Sequence, residues 1–353
     1  MRAYGGYLVL IGIGVLVAVY IAFQSFFTSF GFDLPIDEEQ VGMEDQIVIK
    51  FSHVVAENTP KGLAASRFAA LVDEYTDHRV KIEVYPNQSL YSDREEIEAL
   101  QENKVQMIAP TTSKITNISE KWMLLDLPYI FPTDAALKEA LNGEVGEELL
   151  NHLAEVNIEG LAFWSNNFKQ MTSNEPIRRP EDLSGKNFRI MPSPVLESQF
   201  EHFGASTSKL EFNDTFKSLE IKKTDSQENT ISNIYSKKLY DVQKYLTISD
   251  HGYLGYVVMM NQSFWEDLPP DIQQQITRAM DDTTSWLWDK AKEMNQTQLQ
   301  AIEEKSTIEV YTLSDKERKL WMKEMTSIYP EFEPVIGKDL MEKMERIREK
   351  YIE

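Results

Sequence analysis

Apolar and polar positions along this chain switch between a period of two and a period of nearly four, and the switches mark out its elements. Residues 46–53 carry Ile47, Val48, Ile49 and Phe51 and predict a first strand. Asn58-Thr59-Pro60 predicts a helix start, a capping side chain followed by proline at the first helical position. Ala64, Phe68, Leu71, Val72 and Tyr75 fall on one face of that helix. Val80, Ile82 and Val84 alternate and predict a second strand. Ser92-Asp93-Arg94-Glu95 reads as a capping box for a short helix ending near Leu100, and residues 105–109 read as a third strand. Strand, helix, strand, helix, strand is an α/β order with a substantial parallel component. Further strands are predicted at 161–164, 188–191 and 254–260. Residues 271–304 predict one long helix, with Ile272, Ile276, Met280, Leu287, Ala291, Met294 and Ile302 along one side. A last helix is predicted over 338–351, and neither an internal repeat nor a low-complexity tract interrupts the order.

Before the first strand the pattern is of another kind. Residues 3–32 carry no charge, and 7–23 are almost wholly apolar. A bilayer core needs about 20 such residues in a helix, whereas the apolar part of a secretory signal runs to about 7–15. Arg2 precedes the stretch and Asp33, Asp37, Glu38 and Glu39 follow it, which places the N-terminus inside and the rest of the chain outside. Residues 1–32 therefore predict a membrane anchor or uncleaved signal, and 33–45, with Pro35 and Gly42, an acidic linker. Ser29-Phe30-Gly31 supplies a small-x-small cleavage site, so a cleaved signal and a secreted product stay open. In both readings the folded part is extracytoplasmic.

Hydrophobic residues at 42% and aromatics at 11% exclude a largely disordered chain, and 353 residues exceed one typical core, which predicts two lobes. Lys+Arg number 36 against 57 Asp+Glu, a formal charge of -21. Such a surface repels phosphate backbones, and no basic stripe interleaves with aromatics, so nucleic acid is not an expected partner. If the ligand is an anion, local cations must overcome the average field, which salt screens beyond roughly 10 Å. With no cysteine there is no disulfide, thiol nucleophile, Cys-ligated zinc or lipid-bearing N-terminal Cys.

His53, His78, His152, His202 and His251 show neither HxH nor HExxH spacing, so no metal site is expected. A nucleophile elbow, a phosphate-binding loop and a dinucleotide fingerprint are all missing, so no catalytic residue and no cofactor are assigned. An exported enzyme acting on a small carboxylate stays as the alternative class.

Arg189 stands apart. It lies between Phe188 and Ile190 and so points to the other face of its strand, just before Met191-Pro192-Ser193-Pro194 ends it. Ligands of open α/β sheets gather beyond the carboxyl ends of strands, and a guanidinium there offers two parallel donors to a carboxylate. Spacing alone favours a structural ion pair with one of the many acids.

Five ordered stretches change that weighting. Phe51-Ser-His-Val-Val-Ala-Glu-Asn-Thr-Pro-Lys-Gly62, Phe163-Trp-Ser-Asn-Asn-Phe-Lys-Gln-Met-Thr172, Phe188-Arg-Ile-Met-Pro-Ser-Pro194, Asp225-Ser-Gln-Glu-Asn229 and His251-Gly-Tyr-Leu-Gly-Tyr256 closely resemble the DctP-type solute-binding proteins of TRAP transporters. The resemblance runs from about Gln46 to the C-terminus, and the first stretch is similar to the branch for four-carbon dicarboxylates. The stretch from Glu228 to Lys238 is similar to a member of that branch associated with a dicarboxylate sensor kinase as well as a transporter.

The resemblance implies a two-lobed α/β fold of the periplasmic-binding-protein type, with mixed sheets, crossing strands and a long inter-lobe helix. It places 46–166 plus 255–294 in the first lobe and 167–254 plus 295–353 in the second. The implied function is extracytoplasmic binding of a small dicarboxylate of the malate, succinate or fumarate class. The partners are TRAP membrane subunits or a membrane sensor histidine kinase. Arg189 matches the arginine that grips the ligand carboxylate, Lys169 a second cation, and Asn229 an asparagine on the same carboxylate. Asn58, Thr111, Ser113, Lys114, Phe212 and His251 fall where the family builds the rest of the pocket wall. For these, turn, capping, packing or structural roles remain open. Asn167 stands where glycine is usual, Ser226 and Thr230 replace a glycine and a proline, and Lys222-Lys223 interrupts a normally apolar stretch.

Overall fold

A computed structural model describes residues 46–352, so the predicted anchor at 1–32 and linker at 33–45 lie outside the described residues. Among the described residues no helix is long and apolar enough to cross a membrane. Nine strands form one mixed sheet: β1 (Ile47–Ser52), β2 (Val80–Tyr85), β3 (Met107–Ile108), β4 (Ile158–Ser173), β5 (Asn187–Ile190), β6 (Ser206–Lys209), β7 (Ser226–Asn229), β8 (Tyr245–Asn261) and β9 (Glu309–Thr312). Their order is 2-1-3-8-4-7-5-6, with β9 beside β8. β1 lies between β2 and β3 in parallel, and β5 between β6 and β7 in parallel. The antiparallel pair β4 and β8 joins those two groups.

Both joining strands outrun the prediction, at 16 and 17 residues. Reading along β4, Ser165-Asn166-Asn167 looks like a turn that would end the strand after Trp164. Instead the polar side chains are buried and bonded: Asn166 Nδ2 donates to Thr230 Oγ1 (2.9 Å) and Tyr256 Oη (3.2 Å), and its Oδ1 accepts from Ser232 Oγ (2.8 Å). The register slips between Ser165 and Phe168, where Asn167 adopts φ +76. That left-handed conformation suits glycine first and asparagine next, which explains why asparagine can stand at a glycine position. On the facing strand Asp250 has φ +46, and Gln170 clamps it by donating to Asp250 Oδ1 at 2.7 Å and accepting from Ser249 N at 2.7 Å. The ladder between the two joining strands is thus interrupted by two successive bulges, on either side of the Phe168–Tyr253 and Lys169–Gly252 pairs. The third strand contracts to Met107–Ile108.

The helix Pro60–Tyr75 starts as predicted, but Thr59 is its cap, accepting from Gly62 N at 3.2 Å, and Asn58 is exposed. A side chain at Gly62 would stand 2.4 Å from the Ala56 carbonyl oxygen, so the turn into this helix requires glycine there. The helix Pro270–Lys305 buries Ile272, Ile276, Met280, Leu287, Ala291 and Ile302 as predicted. Met294 is only half-buried, and the polar Asn295 takes the buried place, accepting from Ser232 N at 2.9 Å. At 1.5 Å per residue this helix is about 54 Å long, enough to pack on Pro60–Tyr75 at one end and Ile231–Ser236 further along. The closing helices Tyr329–Ile336 and Lys338–Glu349, grouped by resemblance with the second lobe, set Phe332, Ile336, Leu340 and Met344 into a cluster with Leu100, Trp122, Leu137 and Leu149.

Candidate functional site

β5 alternates as expected: Phe188 and Ile190 enter the core and Arg189 faces the other way. Arg189 is 2% exposed. Its Nε and Nη2 donate to the Leu210 carbonyl oxygen at 3.0 and 2.7 Å. Among the described residues no carboxylate lies at ion-pair distance, and Nη1 has no acceptor. Burial lowers its pKa to about 10, against the pull of Asp93, Glu228 and Asp214, so the group stays charged at neutral pH. The structural ion pair that spacing alone allowed is not formed.

Register sorts the other two anchors. β5 pairs Arg189 with Gln227 of β7, so Arg189, Gln227 and Asn229 share one face of the sheet. Asn229 Oδ1 accepts from Thr230 N (3.1 Å) and Asn233 Nδ2 (2.7 Å), which orients its amide nitrogen away from them; that nitrogen has no acceptor among the described residues. Lys169 lies on the face of Met171, which pairs with Glu228. Its fully buried Nζ donates to Glu228 Oε1 at 2.7 Å. Glu228 Oε2 meets His251 Nε2 at 2.8 Å, and His251 Nδ1 meets Ser249 Oγ at 2.7 Å. Burial opposes the Glu228 carboxylate, but Lys169 and His251 together hold its pKa down to about 2. Burial in turn lowers the pKa of His251, with Glu228 opposing. Arg189 and Asn229 therefore present unused donors on one face of the sheet, while Lys169 and His251 are committed to a buried acid.

Glycines in the stretch around His251 exist for this packing. A Cβ on Gly252 would sit 2.7 Å from Lys169 Cε, and one on Gly255 would sit 1.8 Å from Tyr253 Oη. Gly252→Ala is expected to cost about 1–3 kcal/mol by displacing the lysine, read as a lower midpoint in equilibrium urea unfolding. An unchanged midpoint would mean that the lysine has room to move.

The remaining candidates separate by contact. Ser113 Oγ donates to the buried Asp126 Oδ1 at 2.6 Å. Lys114 is tied to Asp93, which it also touches through the backbone carbonyl, and to Glu96 at 3.3 Å. Thr111 bridges to Tyr256 through its backbone, and its buried hydroxyl has no partner among the described residues. Phe212 packs with Val54 and Val55 in a small cluster of their own. Asn58 makes no side-chain hydrogen bond among the described residues. Glu228 was passed over in the sequence although its stretch was singled out; the signal was an acid inside an otherwise uncharged strand. A cleft of about 500 Å³ opens beside Leu210, with Asp93, Lys114 and Asn117 on one wall and Pro192, Lys209 and Glu211 on the other. Arg94 and Glu211 form an ion pair of 2.5 Å at this cleft.

A buried guanidinium with no carboxylate at ion-pair distance among the described residues, on the same sheet face as an unused amide donor, has the chemistry to hold an anion. Comparison with known proteins identifies the family. The family described as bacterial extracellular solute-binding protein, family 7 (DctP) matches residues 51–334. The C4-dicarboxylate-binding protein DctB of Bacillus subtilis is 51% identical over 313 residues, 88% of this chain and 89% of the relative. The C4-dicarboxylate-binding periplasmic protein DctP of Rhodobacter capsulatus is 42% identical, covering 84% of this chain and 89% of its own. Among solved structures, a TRAP periplasmic solute-binding protein from Shewanella oneidensis with bound succinate superposes with a TM-score of 0.83 at 38% identity, covering 86% of this chain and 99% of that one. One from Pseudomonas aeruginosa with bound L-malate gives 0.79 at 36% identity, covering 81% and 99%. This chain belongs to the DctP family of bacterial extracellular solute-binding proteins, and is a TRAP-type solute receptor and not an enzyme.

Proposed function

We propose that this receptor binds a four-carbon dicarboxylate of the succinate, malate or fumarate class, with one carboxylate on Arg189 and Asn229. The observation that carries this is the Arg189 side chain, buried and fixed by Leu210, with no acid at ion-pair distance among the described residues in a chain of charge -21. The C4-dicarboxylate relatives and the succinate-bound and malate-bound neighbours support the ligand class. Two lobes, 46–166 with 255–294 and 167–254 with 295–353, close over the ligand, the last helices reaching back to the first. β4 and β8 bend where Asn167 and Asp250 relax the ladder. Lys169, Glu228 and His251 brace the floor of the site, and Thr111 and Phe212 stand at its wall. Only contacts stronger in the closed state shift such an equilibrium, so first-lobe residues govern closure and Arg189 governs affinity.

Residues 1–32 tether the receptor to the outer face of the membrane, with 33–45 as spacer. It then hands its ligand to TRAP membrane subunits. Reporting to a sensor histidine kinase is the second reading, resting on the resemblance of the stretch from Glu228 to Lys238 and on the departures at Asn167, Ser226 and Thr230. A thermal-shift series separates ligand classes: succinate, malate and fumarate are expected to raise the melting temperature, with butyrate having little effect. No shift with any of the three dicarboxylates would overturn the proposal.

A further inference from the structure

We propose that Lys61 is the cation for the second carboxylate, and so the residue that makes this receptor prefer dicarboxylates to monocarboxylates; this rests on the ligand class proposed above. Lys61 sits in the first turn of the helix Pro60–Tyr75 and is fully buried. Its Nζ donates to the Ala109 carbonyl oxygen at 2.7 Å and stands 4.0 Å from the centroid of the Tyr256 ring. Among the described residues it makes no ion pair. An ammonium has three donors, and a single hydrogen bond with one ring face leaves it under-satisfied in a dry site, a costly state unless an anion arrives. The nearby acids are taken, since Asp93 and Glu96 are both held by Lys114.

The position matches the other half of a dicarboxylate. Hydrogen bonds link it to Asn229: Thr230 N donates to Asn229 Oδ1, Thr230 Oγ1 accepts from Asn166 Nδ2, and the same Nδ2 donates to Tyr256 Oη, whose ring lies under Lys61 Nζ. The backbone of Thr111 bridges to Tyr256, and among the described residues the buried Thr111 hydroxyl has no partner. Burial lowers the Lys61 pKa to about 8, with Glu96 and Asp93 opposing and Lys114 reinforcing, and burial with Lys61 lowers that of His53 to about 3. The imidazole beside it is therefore neutral at physiological pH and competes for no anion.

The test is calorimetry of the full chain in mild detergent with succinate and with butyrate, which has one carboxylate on the same carbon count. Lys61→Met is expected to weaken succinate at least tenfold and leave butyrate unchanged, so that the preference collapses. Succinate binding within twofold of the parent, or equal losses for both ligands, would overturn the role of Lys61 while leaving the proposed function standing. If the parent chain itself binds no dicarboxylate, the proposed function fails and this inference with it. A readout on the parent chain needs no variant. Succinate affinity should fall above about pH 8, as Lys61 loses its proton, and butyrate affinity should not. A flat succinate profile between pH 7 and 9.5 would overturn the inference.

Discussion

Arg189→Lys is expected to weaken succinate binding about 100-fold, measured by calorimetry at neutral pH. The guanidinium spends its Nε–Nη2 edge on the Leu210 carbonyl, which leaves Nη1 and the second Nη2 hydrogen to face a ligand in a fixed plane. Each charge-assisted contact contributes about 1.5–3 kcal/mol, and each 1.4 kcal/mol is about tenfold in affinity. A lysine keeps the charge but cannot hold Leu210 and a carboxylate at once in one plane. The variant also leaves a buried carbonyl short of a donor, so a modest drop in melting temperature accompanies the loss. Undiminished affinity in a folded variant would sink the assignment, because the fork geometry is what distinguishes the two side chains.

How far the sequence exposed this arrangement depends on where polarity and burial part company. β1, β2, the helix Pro60–Tyr75 and the long helix follow apolar periodicity, and their faces point where the periodicity says. β7 reads Ser-Gln-Glu-Asn, four buried residues without one apolar side chain. It is held by Gln227 to Thr172 and Glu228 to Lys169 instead, a satisfaction that no hydrophobic pattern can display. The same cause hid the middle of β4, where Asn166 is buried because Thr230, Ser232 and Tyr256 complete its hydrogen bonds. The helix Asp315–Met325 had a readable start, the reciprocal capping box of Ser314 and Glu317, and was missed all the same. At the site, alternation around Arg189 sufficed to turn it away from the core. What fixes it is a main-chain oxygen of Leu210, which any residue would provide, so the sequence holds no sign of it. Lys169 shows the opposite limit, since the resemblance implied a second ligand cation while the fold pairs it with an acid 59 positions away.

Lys169→Met is expected to destabilise the fold by about 3–5 kcal/mol in urea unfolding, because it strands Glu228 in a site that water does not reach. The pair is flanked by His251, whose pKa burial lowers, so the histidine is a poor substitute counter-ion for the orphaned carboxylate. Adding Glu228→Gln should recover most of the loss, since the second change removes the uncompensated charge rather than another favourable contact. The parent chain should show the same coupling as a pH dependence. Glu228 ionises at about 2 when folded and near 4.5 otherwise, so its contribution is complete above about pH 5 and is lost as pH falls toward 2. Removing the lysine raises the folded pKa toward or above the unfolded one, and that part of the acid dependence should vanish or change sign. A single variant as stable as the parent would show that Lys169 is held by its ligand rather than by Glu228. A double variant no better than the single would show that the lysine acts through packing against Gly252 and not through its charge.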